Sequence, residues 1–165
     1  MDATAVLTDM ASRPLDSLGY LPQLSVEQAN THLADHPNSV AWLLWHTGRM
    51  ADVQLAQLTG EPEAWETHRL PDLDRAGIGY GDSDEQARAV QVTDAAELAA
   101  LVDYVRATLT ALRDYAGSLT ESQLDDVIDT TWTPHVTRGV RIISIIDDAA
   151  VHLGQIAFIT GAPGA

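Results

Sequence analysis

Three stretches of about twenty or more residues carry apolar side chains at helical spacing, and that periodicity leaves little room for any architecture but packed helices. The first covers residues 39–58. Ser39 stands where an N-cap is needed, and Pro37 and Asn38 break what precedes it. Leu43, Met50, Val53 and Gln57 roughly share one face, and Gly60 marks the end. The second covers residues 94–118. Asp94 and Glu97 have capping-box spacing, with Asp in place of the usual Ser or Thr. Leu98, Leu101, Val102, Val105, Leu109 and Leu112 then form a continuous i, i+3/i+4 stripe. The third covers residues 137–160 and stops at Gly161 and Pro163. Its apolar face is Ile142, Ile145, Ile146, Ile156 and Ile159.

A further helix is expected at the N-terminus, where Val6, Leu7 and Met10 cluster and Pro14 should end or kink it. Short helices are expected over residues 25–33 and 83–89, each opened by a Ser with a Gln three residues on. Residues 60–93, rich in Gly, Pro and Asp, read as a long crossover, and residues 127–136 read as extended. The expectation is one all-α domain over residues 1–165, a four-helix bundle with a long crossover after the second long helix.

The charged residues narrow the function. Nine arginines, with no lysine, face 24 acidic residues, a net charge of -15. Such a surface repels nucleic acid and anionic lipid, both of which are bound chiefly through their phosphates. No uninterrupted apolar run approaches the roughly 20 residues of a membrane span. The N-terminal segment has acids where a signal peptide has a basic region, so a cytoplasmic location is expected. With no cysteine, disulfides, thiolate ligands and a cysteine nucleophile are all excluded.

Two of the six histidines lie on apolar stripes. His46 follows Leu43 by three residues and precedes Met50 by four. His152 precedes Ile156 by four and follows Asp148 by four. An aspartate on a buried stripe is costly unless paired or metal-bound. His46, Asp148 and His152 therefore form a candidate ligand set for a divalent cation. Zn²⁺ fits best, and Ni²⁺, Fe²⁺ or Mn²⁺ are alternatives. Three protein ligands leave a position open for water or substrate. A plain Asp148–His152 ion pair is the competing reading. Arg141, seven residues before Asp148, is a candidate anchor for an anionic group. Trp42, Trp45 and Trp132 are candidates for pocket walls or core. His32 and His36 read as solvated, and spacing assigns no role to His68 and His135.

Two segments resemble motifs of the DinB-like superfamily. Val40-Ala41-Trp42-Leu43-Leu44-Trp45-His46 resembles its second-helix motif, and Asp148 to Ile156, with His152-Leu153-Gly154-Gln155, resembles its fourth-helix motif. The resemblance implies an up-down-down-up four-helix bundle with a metal bound by three side chains. It makes His46 and His152 ligands and sets Asp148 where relatives carry His or Glu. It also implies kinship with the metal-binding domains of mycothiol-dependent maleylpyruvate isomerases. Two functions follow as expectations. One is a metal-dependent transferase or isomerase that uses a low-molecular-weight thiol on a small-molecule substrate. The other is a non-enzymatic metal-binding or stress-response module. A homodimer is expected in either case.

Overall fold

The computed structural model describes residues 2–68, 70, 73 and 77–161, and the fold is mostly helical. Four long helices carry it: α1 (Ala3–Tyr20), α3 (Val40–Thr59), α6 (Ala95–Ser118) and α7 (Arg138–Gly161). Three short ones sit between them: α2 (Val26–Ala29), α4 (Trp65–His68) and α5 (Asp84–Arg88). Helix α1 packs on α6 and α7, and α3 packs on the same two. Of residues 127–136, expected to be extended, only the two ends are strand, and residues 131–134 bend between them. Strands β1 (Val127–Asp129) and β2 (Val136–Thr137) pair antiparallel.

The helix starts obey the capping signals. Ser39 accepts from the Trp42 amide. Ser25 with Gln28 and Ser83 with Gln86 form complete capping boxes. Asp94 accepts from the Ala96 and Glu97 amides, but the Glu97 carboxylate reaches past the cap to the Thr93 amide and hydroxyl. At the C-terminus of α3, Gly60 takes a left-handed conformation, φ 77°, that favours glycine.

Four expectations need correction. Pro14 neither ends nor interrupts α1, which continues to Tyr20 with Pro14 buried. The inward face of α1 is Leu7, Ala11, Pro14 and Leu18, whereas Val6 and Met10 are exposed; they lie one position off that face. The helix expected over residues 25–33 is a single turn, α2, followed by a 3₁₀ turn at Leu33–Asp35. Helix α3 is not amphipathic at its start. It is buried on every side from Val40 to Arg49, because the crossover lies against the face that the other long helices leave open. The expectation that no uninterrupted apolar run spans a membrane stands, although α7 is long and apolar enough to do so by length and average composition, with a mean hydropathy of 1.6 over its best window. An average over a window tolerates Asp147 and Asp148, which an uninterrupted run does not. Its inward residues, Ile142, Ile145, Ile146, Leu153 and Ile156, fill the core between the helices. Pro163, expected just past this helix, lies outside the described residues.

The stripe on α6 is buried at Leu98, Leu101, Val105, Leu109 and Leu112, with Tyr104 and Thr108 beside them, whereas Val102, expected in it, is only half-buried. Leu109 is fully enclosed. Leu109→Ala should cost about 2–5 kcal/mol in urea unfolding, and Arg106→Ala on the exposed face less than about 0.5 kcal/mol. Equal losses would contradict this orientation of α6.

Candidate metal centre

His46 comes from the second turn of α3, and Asp148 and His152 from successive turns of α7. The packing of α3 on α7 brings the three together. Asp148 Oδ1 lies 3.6 Å from His46 Nε2 and 3.5 Å from His152 Nε2, and one ligand atom from each residue lies within 4.8 Å of the others. Two ligands about 2.1 Å from one ion at the tetrahedral angle are about 3.4 Å apart, so these gaps suit a cation at the centre better than direct hydrogen bonds. The side chains are 7%, 22% and 17% exposed for His46, Asp148 and His152, which leaves the group enclosed but reachable.

Both imidazoles are held from behind. His46 Nδ1 hydrogen-bonds the Ile78 carbonyl, and His152 Nδ1 meets Gln155 Oε1 at 2.7 Å. A carbonyl oxygen only accepts, so both rings carry the proton on Nδ1 and turn Nε2 toward Asp148. This is the outer arrangement that metal-ligating histidines use to fix tautomer and ring angle. Trp42 stacks on His46 at 4.6 Å and meets the His152 ring edge-on at 6.2 Å. Asp148 Oδ2 is buried and has no hydrogen-bond partner among the described residues. A buried carboxylate oxygen left this way is costly, and a cation would satisfy it.

The crossover supplies the clamp. Three side chains on α3, one turn apart, each donate to it: Trp42 Nε1 to Asp82 at 3.1 Å, His46 to the Ile78 carbonyl, and Arg49 Nε to the Gly77 carbonyl at 3.3 Å. Gly79, at φ 89°, lets the chain come this close. A Cβ there would lie 2.9 Å from Trp42 and Trp45 and 3.1 Å from His46 Nδ1. Gly79→Ala should therefore destabilise the fold by about 1–3 kcal/mol and weaken metal binding as Ile78 is displaced. Unchanged melting and unchanged metal affinity would contradict this role for the loop.

The electrostatics match the geometry. Burial by itself would raise the Asp148 carboxyl, but the neighbouring His152 and His46 hold it down at about 2. Burial likewise opposes the charged form of His152, yet Asp148 and Gln155 hold its pKa above 6.5.

Other sequence candidates lie elsewhere. Arg141 is not part of the group; it binds Gln54 Oε1 at 2.9 Å and Asp129 at 3.3 Å, two turns from Asp148. Trp42 walls the group and Trp45 is core, but Trp132 is 65% exposed. His32 bonds the His36 carbonyl, His68 the Ala64 carbonyl, and His135 the Trp132 carbonyl. Ile78 and Gln155 were missed as orienting partners. For Gln155 the i, i+3 spacing from His152 was a usable signal. For Ile78 there was none, since a backbone carbonyl 32 residues away leaves no mark on side-chain pattern.

A helical protein with an imidazole–carboxylate–imidazole cluster between two of its long helices is the class that fold and site define. The profile of the DinB superfamily matches residues 14–156, and the chain belongs to that superfamily. It is also similar to a conserved protein from Enterococcus faecalis of known crystal structure. The two are 34% identical, the match covers 97% of this chain and 96% of that one, and the TM-score is 0.77. Among curated proteins none matches.

Proposed function

We propose that His46, Asp148 and His152 bind a divalent cation, with zinc the best fit, and that the protein is a metal-dependent transferase or isomerase acting with a low-molecular-weight thiol. The observation that carries this reading is the convergence of two Nε2 atoms on one carboxylate, each ring fixed from behind by a carbonyl oxygen. Structural zinc sites close the coordination shell with a fourth protein ligand; a set of three leaves room for a reacting group. A cation here lowers the pKa of a thiol or water at its open position. The thiol comes from outside because the chain has no cysteine. His46 and His152 serve as neutral donors, Asp148 supplies the negative charge, and Trp42 shields one side from water. A cavity of about 640 Å³ borders His152 and Gln155 and would hold a substrate beside the group.

The reading includes the up-down-down-up course of the four long helices. Contacts supporting it are Asp52 with Tyr104 and Leu58 with Tyr115, which run in the same order along α3 and α6. His46 with Asp148 and Gln54 with Arg141 run in opposite order along α3 and α7. Thr8 with Gly117, and Ala3 with Glu121 just past the end of α6, run in opposite order along α1 and the α6 end of the chain. The reading also takes residues 1–165 as one domain, working as a cytoplasmic homodimer.

Thiol use is tested with cobalt-loaded protein. Added alkyl thiol should produce a sulfur-to-cobalt charge-transfer band, and a spectrum unchanged by thiol would contradict it. The pH dependence is a second expectation. The raised His152 favours its proton, and coordination requires the ring to lose it, so metal affinity should climb as pH rises through and above 6.5. Metal-free protein behaves oppositely. His152 contributes stability below 6.5, lost as pH rises through its raised pKa. Asp148 contributes above 3.8, lost as pH falls toward about 2. The Asp148–His152 pair is thus most stabilising between pH 3.8 and 6.5 without metal. Calorimetric titration and melting across that range check both signs.

A further inference from the structure

Helix α7 is apolar on its outward side as well as its inward one. Val151 and Phe158 stand two turns apart there, and Phe158 is 71% exposed. With Leu33, Leu43 and Ile159 they line the cavity of about 640 Å³, between α7, the first turn of α3 and the 3₁₀ turn Leu33–Asp35. That volume falls within the roughly 300–1,000 Å³ of small-molecule pockets. The polar lining comes from His36, Asn38, His152 and Gln155. His152 and Gln155 are one hydrogen-bonded unit, so the cavity and the ligand cluster share a wall. His36 Nδ1 accepts the Asn38 amide at 3.1 Å, which puts the proton of the neutral ring on Nε2 as a donor.

No arginine, aspartate or glutamate is among the described residues that line this cavity, although a fifth of the chain is charged. An anion entering it would lose hydration and meet no guanidinium. Arg141, which spacing offered as an anion anchor, is bound to Asp129 and lines a separate cavity of about 100 Å³ with Gln54 and Ile128. The net charge of -15 adds long-range repulsion.

We propose that this cavity binds an uncharged, mainly apolar small molecule, with its polar or thiol end toward His152 and Gln155 and its apolar body against Val151 and Phe158. The proposal names the substrate class of the metal site and rests on that reading for the orientation of the polar end.

The test uses the full chain both stripped of metal and loaded with cobalt. Stripped protein is titrated with hexanol and hexanoate by amide chemical shift, and loaded protein with hexanethiol and mercaptohexanoate by cobalt absorption. With both titrations run at a pH well above the raised pKa of His152, so that no imidazolium lines the cavity, the uncharged member of each pair should bind about tenfold tighter or more, because the carboxylate then finds no cation in the cavity to replace its water. Phe158→Ser, and independently Val151→Ser, should weaken hexanol and hexanethiol by about tenfold while cobalt affinity stays unchanged. Acids that bind as tightly as the uncharged ligands would overturn the proposal. If cobalt fails to bind but hexanol is still preferred in the stripped protein, the metal reading falls and the apolar pocket stands. If hexanol does not bind and Phe158→Ser splits a dimer seen by light scattering, the face joins two copies of the chain and the pocket proposal is overturned.

Discussion

His46→Ala and His152→Ala should each weaken zinc or cobalt binding by more than about a hundredfold. Even partners that only orient a ligand cost about 10–100-fold when removed, and these two supply the coordinating atoms. The variants differ in what they leave behind. His46→Ala takes the Ile78 carbonyl's donor away and opens a space beside Trp42, so it should also lower stability. His152→Ala removes a ring at the cavity wall, and its stability loss should be smaller. Gln155→Ala, which frees the His152 ring without touching the three ligands, should fall between wild type and His152→Ala. Arg141→Ala, two turns away and bound to Gln54 and Asp129, should leave metal affinity unchanged. Calorimetric titration of chelator-treated protein checks the series. A His46→Ala protein that binds metal like wild type would remove the three-ligand site and most of the case for thiol chemistry.

A large loss of stability should also come from Asp52→Ala, at a carboxylate that takes no part in the metal group. Asp52 is buried on α3 and accepts from the Ala64 amide at 2.7 Å, the Trp65 amide at 2.8 Å and the Tyr104 hydroxyl at 2.8 Å. Arg49, also buried, lies 3.5 Å from it and 2.8 Å from Glu63, with its guanidinium 5.3 Å from the Trp65 ring centre. This network ties the start of the crossover to α3 and α6. Tyr104 in turn packs on Gly48, where a Cβ would lie 2.5 Å from its ring. Burial and the Asp52 charge push the Tyr104 hydroxyl well above its ordinary pKa, so it stays a donor. Removing the carboxylate strands three donors and part of the Arg49 charge, at a cost of about 3–5 kcal/mol. Asp52→Asn keeps one acceptor and should cost roughly half as much. A loss below about 1 kcal/mol for Asp52→Ala in urea unfolding would show that the network relaxes or fills with water.

Why some of this was legible in the sequence, and some not, follows from the kind of signal each feature leaves. Capping residues act on amides two or three positions away, so Ser25, Ser39, Ser83 and Asp94 could be read locally. The metal cluster was legible because two of its members share a helix at i, i+4 and all three interrupt apolar stripes. The all-round burial of α3 was not, since periodicity reports one partner face and the crossover adds another. Pro14 misled for a related reason: a missing amide costs one hydrogen bond, and a buried inward face holds the helix together across it. The exposed side of α7 was hidden by its own composition, as an isoleucine-rich helix reads as core on every side. Nothing in the local pattern said that Val151 and Phe158 would line a cavity while Ile145 and Ile156 filled the interior.

The central claim is that these three side chains hold one cation. A crystal of the full chain soaked in zinc, with anomalous difference density measured at the zinc edge, tests it most directly. The account predicts a single strong peak between α3 and α7, about 2.0–2.2 Å from His46 Nε2, His152 Nε2 and an Asp148 oxygen, with at least one further position not taken by the protein. Density absent there while present on surface carboxylates, or an Asp148 carboxylate hydrogen-bonded directly to both rings, would contradict it.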